Sequence, residues 1–208
     1  MSKEFAKRGS GGGGEGPCTP KPRDRIVATA QDLFHRHGIR GVGVETIAEA
    51  AGTNKMTLYR HFDSKDELIL EYLNYKGKKS EEIWADIERE SPGDPAGQLH
   101  GFLGRVAHFI AEDERGCDLA NAAIELTQEG HPGLRVIEEF KRRQRERLVD
   151  LCAAAGASEP ALLADALVLL IEGARVTRRN VGVCGPSAHL VQTARGVLAS
   201  FGVPTPKA

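Results

Sequence analysis

The stretch that decides the fold is AEAAGTNKMTLYRHF, residues 48–62, in which Gly52 separates two short segments of different character. Before the glycine, apolar residues repeat at the spacing of one helical face: Val44, Ile47, Ala48 and Ala51. After it, Asn54 suits an N-cap, and Leu58 and Phe62 share the apolar face of a second helix. Two short helices joined by a tight turn that contains glycine are the signature of a helix-turn-helix.

The opposite face of this second helix has the chemistry that DNA recognition requires. At 100° per residue, Arg60 and Met56 point away from Leu58, and Thr57 and Tyr59 flank this outer face. Lys55, in the first turn, can swing outward as well. An arginine forks onto the major-groove edge of guanine, methyl groups contact the thymine methyl, and hydroxyls reach phosphate. A solvated helix face is the alternative for any one of these residues, but the helix-turn-helix spacing favours DNA binding.

The flanking sequence extends this unit at both ends. Pro22 suits the first turn of a helix, and the apolar stripe of this helix consists of Ile26, Ala30, Leu33 and Phe34. Gly38 follows the stripe, and we expect it to end the helix in the left-handed conformation. A fourth helix is predicted from a cap at Asp63 or Ser64 to about Arg89, where SPGDP interrupts it. We therefore predict a DNA-binding domain over residues 22–73, preceded by a flexible glycine-rich tail over residues 1–21.

Three segments together, RIVATAQDLFHRHG, VETIAEAAG and TNKMTLYRHFDSKDELI, resemble the DNA-binding domain of the TetR family of transcriptional regulators. The resemblance implies base-edge readers at Lys55, Met56 and Arg60. It implies phosphate contacts from Thr57, Tyr59, His61 and Lys65, and it places Glu45 and Thr46 near the groove. The sequence departs from the family pattern at Gly43, a weaker cap than Ser or Thr, and at Met56, where a small residue is usual.

Composition bounds the remaining possibilities. With 208 residues, 27% charged residues and a formal net charge of −1, basic residues must be concentrated locally if the chain binds nucleic acid. No apolar run is long enough for a membrane span, and the N-terminus lacks the apolar region of a secretory signal. The widely spaced cysteines match no zinc pattern. We expect a cytoplasmic protein with free thiols, no cofactor, no metal and no membrane contact.

The rest of the chain, residues 74–208, is predicted to be helical, so the fold class is all-α. The resemblance implies that it forms a ligand-binding and dimerisation domain. Residues 162–174 are apolar nearly all round, and such a helix must be covered on two sides. With the final helix it is predicted to form a four-helix homodimer interface through Leu163, Leu167, Leu170, Leu190, Ala194 and Val197. A monomer with one deeply buried helix is the alternative.

A polar gap suggests where a small molecule binds. Lys141 and Gln144 fall on the same helical stripe as Ile137 and Leu148, which indicates a ligand-filled or water-filled cavity. The further candidates for this pocket are Phe109, Asn121 and Glu125. Lys141 favours an acidic or polar-headed ligand unless Glu125 neutralises it. The alternative is that the helix extends past the core at this point.

Two other classes of protein compete with a regulator. An enzyme is disfavoured because no phosphate loop, paired carboxylates or nucleophile–base group stands out. A binding or scaffold protein that retains a helix-turn-helix is the second alternative. The resemblance favours a ligand-responsive repressor that binds a palindromic operator in double-stranded DNA as a homodimer and is released by an unknown effector.

Overall fold

The computed structural model describes residues 21–113 and 115–205, and within these ranges every regular element is a helix. The all-α prediction is therefore confirmed. The predicted tail, with Cys18, lies outside the described residues except for Lys21. The α-helices are α1 Pro22–His37, α2 Val44–Ala50, α3 Lys55–Tyr59, α4 Lys65–Glu90, α5 Pro95–Glu112, α6 Asp118–Glu125, α7 Pro132–Ala154, α8 Pro160–Val181 and α9 Leu190–Ser200. A short 3₁₀ helix at Pro186–His189 lies between α8 and α9.

The first three helices pack around a small core, as their sequence patterns predict. The apolar stripes of α1 and α2 are buried, and Leu58 and Phe62 are almost completely inaccessible. The α2–α3 turn is closed by the Thr53 amide, which donates to the Ala48 carbonyl at 2.9 Å. Gly52 has a φ of 64°, a conformation that favours glycine because it has no Cβ. The turn therefore fixes the angle between the two helices.

Helix α4 is long because both of its ends are well specified. The Ser64 hydroxyl accepts from the Glu67 amide, while the Glu67 carboxylate accepts from the amide of Asp63, the residue before the cap, at 2.7 Å. The helix continues without interruption through residue 73, where the two domains were predicted to meet. One apolar core also joins α1–α3 to α6 and the start of α7. The predicted division at residue 73 thus falls inside a continuous helix.

A second core lies between the end of α4 and the helices α5, α7, α8 and α9. The Trp84 and Phe102 rings stack in it, with centroids 4.5 Å apart. Pro95, Pro132 and Pro160 begin α5, α7 and α8, at the helical position where the missing amide hydrogen costs least. The helices around the second core carry Phe109, Lys141, Gln144 and the dimer candidates.

Gly38 shows how closely the first unit meets α6. It ends α1 with a φ of 79° and a ψ of 162°, so its φ is positive as expected but its backbone is extended rather than left-handed helical. A Cβ at this position would lie 2.6 Å from a carboxylate oxygen of Glu125. Glycine is therefore required here by the backbone conformation and by the approach of α6.

Candidate functional site

The outward face of α3 is held in place from beneath and capped at its start. The Asn54 side chain accepts a hydrogen bond from the Thr57 amide at 2.9 Å, as its position before the helix predicts. Leu58 and Phe62 fix the opposite side in the core. The helix is only five residues long, so its stability comes from these contacts more than from its own hydrogen bonds.

The residues predicted to read DNA lie on the surface of this helix and its C-terminal end. Met56 is 71% exposed and Tyr59 41% exposed. Lys55, Arg60 and His61 are also exposed, while Thr57 is half-buried. Among the described residues, the side chains of Arg60 and His61 have no hydrogen-bond or ion-pair partner. A cation that no carboxylate neutralises is free to contact an anion such as phosphate or the acceptor edge of guanine.

The beginning of α2 joins this surface through an ion pair. Lys55 Nζ donates to the Glu45 carboxylate at 2.5 Å, and Thr46 is exposed beside it. The hydrogen bond lowers the pKa of Glu45 and raises the pKa of Lys55. Gly43 provides no side-chain cap for α2. The structure thus brings the α2 candidates to the reading helix, but it also places a carboxylate against one of the predicted base readers.

Lys65 differs from the other candidates. Its ammonium donates to the Ile39 carbonyl at 2.6 Å and lies 6.0 Å from the centre of the Phe34 ring. Partial burial lowers the pKa of this lysine. The Lys65 side chain therefore fastens α4 to the loop after α1. The sequence could not indicate this contact, because the carbonyl acceptor lies 26 residues earlier in the chain.

The ligand candidates do not meet in one pocket. Lys141 and Gln144 line a hollow of about 430 Å³ between α7 and α8, whereas Gln144 and Phe109 line a second of about 270 Å³. Asn121 and Glu125 lie elsewhere on α6, where Asn121 donates to the Arg115 carbonyl and Glu125 accepts from the Arg40 amide. The predicted opposite wall is thus wrong, because α6 turns this face toward the N-terminal unit.

The partner of Lys141 also differs from the expectation. Its ammonium donates to Glu172 at 2.6 Å rather than to Glu125. Glu172 and Arg175 were missed as lining residues of the first hollow. Glu172 interrupts the apolar run of α8 and Arg175 follows its end. Two charges on so apolar a helix were a signal that this face borders a polar space.

The six dimer candidates all pack against the second core of their own chain. Leu163, Leu167, Leu190 and Ala194 are buried, and Leu170 and Val197 are half-buried against the same cluster. They were chosen because they form the strongest apolar stripes, which is also the property of a core. Helix α8 instead exposes Leu162, Leu169 and Val176, which are spaced by seven residues and so lie on one face, and it exposes Val181 at its end.

Helix α6 is joined to α1 and α4 through a carboxylate. Asp118 accepts hydrogen bonds from Tyr72 of α4 and from the His35 ring of α1, both at 2.7 Å, if the histidine carries its proton on Nδ1. It also pairs with Lys76 at 2.7 Å. Burial opposes the charge, but the three hydrogen bonds outweigh it and hold the pKa of Asp118 below its usual value. Asp118 therefore couples three helices at one point.

Other kinds of site are not evident in the part of the chain that the structure describes. No group of three or more potential metal ligands lies together among these residues. No helix in the described ranges is long and apolar enough to cross a membrane. The three described cysteines, Cys117, Cys152 and Cys184, are free thiols.

Comparison with known proteins agrees with this geometry. A sequence profile described as bacterial regulatory proteins, tetR family, matches residues 26–72. The HTH-type transcriptional regulator AcrR from Shigella flexneri is 29% identical over 93 residues, covering 45% of this chain and 43% of AcrR. TcmR from Streptomyces glaucescens is 32% identical over 142 residues, covering 64% of this chain and 60% of TcmR. The chain thus matches about half the length of these curated relatives.

The similarity to solved structures extends over most of the chain. A TetR-family transcriptional regulator from Streptomyces coelicolor superposes with a TM-score of 0.78 and is 27% identical, and the match covers 86% of this chain and 95% of that one. The matched region includes the helices beyond α4 as well as the helix-turn-helix. The likeness therefore concerns the whole arrangement of helices and not only the reading unit.

Proposed function

Because the chain belongs to the TetR family of transcriptional regulators, whose members are not enzymes, we propose that it is a homodimeric repressor. In this proposal it binds a palindromic operator and is released when a small molecule occupies the second core. Its place of action is the cytoplasm, where bacterial DNA lies. Three parts of the proposal rest on three different parts of the molecule.

The exposed face of α3 is the observation that carries DNA binding. It presents Arg60 and His61 without partners among the described residues, beside the exposed Met56 and Tyr59. A bidentate arginine contact to guanine contributes about 1–3 kcal/mol of discrimination. The whole chain is close to neutral. Local cations on a neutral chain favour specific sites over indiscriminate attraction to any duplex.

The exposed apolar face of α8 supports a homodimer. Leu162, Leu169 and Val176 are each more than half exposed in the single chain. Exposed apolar side chains of this kind are unfavourable in water unless a partner covers them. Neighbouring α9 exposes small residues, including Gly196, which allow another helix to approach closely. This surface replaces the buried residues in the proposed interface.

Two-fold symmetry of such a dimer leads to a palindromic operator. Each α3 reads one half-site, and two recognition helices reach successive major grooves when they are about 34–36 Å apart. The same geometry explains how a ligand releases DNA. Helix α4 runs from the reading unit into the second core, and Asp118 of α6 holds α1 and α4 together. A ligand that favours another position of these helices shifts the dimer toward a DNA-incompetent state.

The proposal is tested by selecting bound sequences from a pool of random DNA duplexes with the purified full chain. We expect an inverted repeat whose half-sites are centred about 10 base pairs, or a multiple of one helical turn, apart. A matched selection with Arg60→Ala should lose the preference at one or more half-site positions. Recovery of unrelated sequences by the parent chain contradicts the proposed function.

A further inference from the structure

We infer that the effector is an anion with an aromatic or apolar body, and that Arg175 binds its negative charge. This inference rests on the proposed release of DNA by a small molecule. It names the class of the ligand and the residue that binds its charge. The sequence suggested Lys141 for this role.

The two hollows in the second core share three of their lining residues. Their volumes are about 430 and 270 Å³, and Phe102, Gln144 and Arg175 line both. Pockets for small ligands commonly have about 300–1,000 Å³. One molecule of modest size can therefore occupy either hollow, or extend across both, while remaining in contact with Arg175.

The charges that line these hollows are unequal. Each lining has four basic and two acidic residues. Most of the cations are already neutralised by carboxylates. Lys141 pairs with Glu172, Arg145 with Asp165, Arg142 with Glu139, Lys76 with Asp118, Lys79 with Glu82 and Arg105 with Glu90. These pairs leave little positive charge for a ligand at the other six positions.

Arg175 is the exception. Among the described residues it has neither a hydrogen-bond nor an ion-pair partner, and its Nε is buried without one. A buried guanidinium nitrogen that donates to nothing is costly, because it has lost its water and gained no acceptor. A carboxylate or another planar anion can accept two parallel hydrogen bonds from this group. Binding of an anion therefore supplies the acceptor that the free protein lacks.

Aromatic side chains define the other end of the ligand. Trp84 and Phe102 stack in the second core and both line the second hollow. Phe109 of α5 lines the same hollow, and its side chain is 46% exposed. Such surfaces favour a flat apolar group, through burial and offset stacking. A polar sugar or a polyamine would leave these aromatic side chains uncovered. Neither molecule carries the negative charge that the Arg175 guanidinium requires.

The test compares acids with neutral molecules of the same shape. Three matched pairs serve as probes: benzoate and benzamide, 3-phenylpropanoate and 3-phenylpropanamide, and 2-naphthoate and 2-naphthamide. Each is titrated into the full chain by isothermal calorimetry. Trp84 is the only tryptophan of the sequence, so quenching of its fluorescence by the phenylpropanoid pair reports binding at this wall. We expect at least one acid to bind about tenfold more tightly than its amide.

Variants locate the preference. Arg175→Met should abolish the advantage of the acid while leaving the amide's affinity nearly unchanged, and Arg175→Lys should retain part of it. Arg179→Met is the control, since Arg179 is exposed on the same helix and does not line either hollow. Lys141→Met should have a smaller effect than Arg175→Met if Glu172 neutralises Lys141.

The outcomes separate this inference from the proposed function. Equal binding of acid and amide, persistence of the preference in Arg175→Met, or no binding of any probe at about 10 mM overturns the inference. That concentration corresponds to roughly 2.7 kcal/mol of binding free energy. If an acid binds through Arg175 but leaves the chain on its selected DNA, the anion site stands and the proposed release by ligand fails.

Discussion

Helices α3 and α8 are both amphipathic, but they differ in the chemistry of the face that they leave exposed. Each buries an apolar stripe: Leu58 in α3, and Leu163 and Leu167 in α8. The outer face of α3 then presents Arg60 without a partner among the described residues, whereas the outer face of α8 presents Leu169 at 73% exposure. The buried faces explain the fold, and the exposed faces indicate the partners.

The difference between these faces is one of chemistry. An exposed guanidinium is well solvated and gains from an anion of fixed geometry. An exposed leucine gains only from the removal of water, which any apolar surface provides and which a two-fold copy of the same face provides most simply. We therefore expect substitutions on the two faces to affect different measurements.

A charge in the middle of the exposed stripe of α8 should have the largest effect. Leu169→Glu places two carboxylates near the two-fold axis of the proposed dimer, and burying an unpaired charge there is strongly unfavourable. We expect monomers at micromolar concentration by light scattering. Affinity for the selected DNA should fall on the order of 100-fold, because the two half-sites are no longer bound by one linked unit.

The control for this variant is Ile124→Glu. Ile124 is 78% exposed on α6, so the two substitutions place the same charge at similarly exposed apolar positions. This control should remain dimeric and bind DNA like the parent. If Leu169→Glu also remains dimeric, the interface does not include the exposed face of α8.

Arg60→Ala tests the other face. We expect a loss of about 1–3 kcal/mol in affinity for the selected DNA, with unchanged helicity and an unchanged oligomeric state. Fluorescence anisotropy of a labelled duplex measures the affinity. Arg89→Ala removes the same charge from an exposed arginine near the end of α4, and it should bind like the parent. Equal losses of affinity in the two variants would mean that Arg60 acts only through the overall charge of the chain and not through a specific contact.

Asp118→Asn tests the junction of α1, α4 and α6. The substitution weakens the hydrogen bonds from His35, Tyr72 and Lys76, and we expect the free energy of unfolding to fall by about 2 kcal/mol near pH 7. The folded-state pKa of Asp118 is depressed. The stability from this carboxylate is therefore complete above the ordinary carboxyl pKa of about 3.9 and is lost as the pH falls through the lower folded value.

Urea unfolding at about pH 7 and about pH 3 measures this dependence. The parent and Asp118→Asn should differ less at the lower pH, because the unfolded parent then binds a proton at Asp118, which favours unfolding and which the variant's amide cannot bind. A difference that stays constant between the two pH values would mean that the Asp118 charge does not stabilise the junction.

Glu45→Gln should have the smallest effect. Glu45 holds Lys55 in the free chain and brings a negative charge to the DNA-facing surface. Because both groups are exposed, we expect DNA affinity to rise only a few-fold, equally for selected and unrelated duplexes, as one repulsive charge is removed. A loss confined to the selected duplex would instead indicate that Glu45 accepts a hydrogen bond from a base.

The sequence was most informative where structure depends on neighbouring residues. Asn54, Ser64, Gly52 and the stripe of α1 act within a few positions, so their caps, turn and spacing could be predicted directly. The exposure of Met56 and the burial of Leu58 follow from the helical period alone. These features determine which side chains α3 exposes, so the exposure of the candidate DNA-reading residues follows from the sequence.

Contacts over long sequence separations could not be predicted in this way. Lys65 reaches the carbonyl of Ile39, and Lys141 pairs with Glu172 rather than Glu125. Periodicity identified the apolar stripes of α8 and α9 but could not decide whether Leu163 or Leu162 faces the chain's own core. That choice depends on how α5 and α7 pack against α8, which a single helix does not encode.

One measurement tests both faces at once: hydroxyl-radical oxidation of side chains, followed by mass spectrometry, with and without the selected DNA. Met56, Leu169 and Ile124 are 71%, 73% and 78% exposed in the single chain, and Ile124 serves as the reference after correction for intrinsic reactivity. We expect Leu169 to be protected in the absence of DNA, and Met56 to become protected only when DNA is added. Leu169 as reactive as the reference in the free protein, or Met56 unchanged by DNA, would contradict the account.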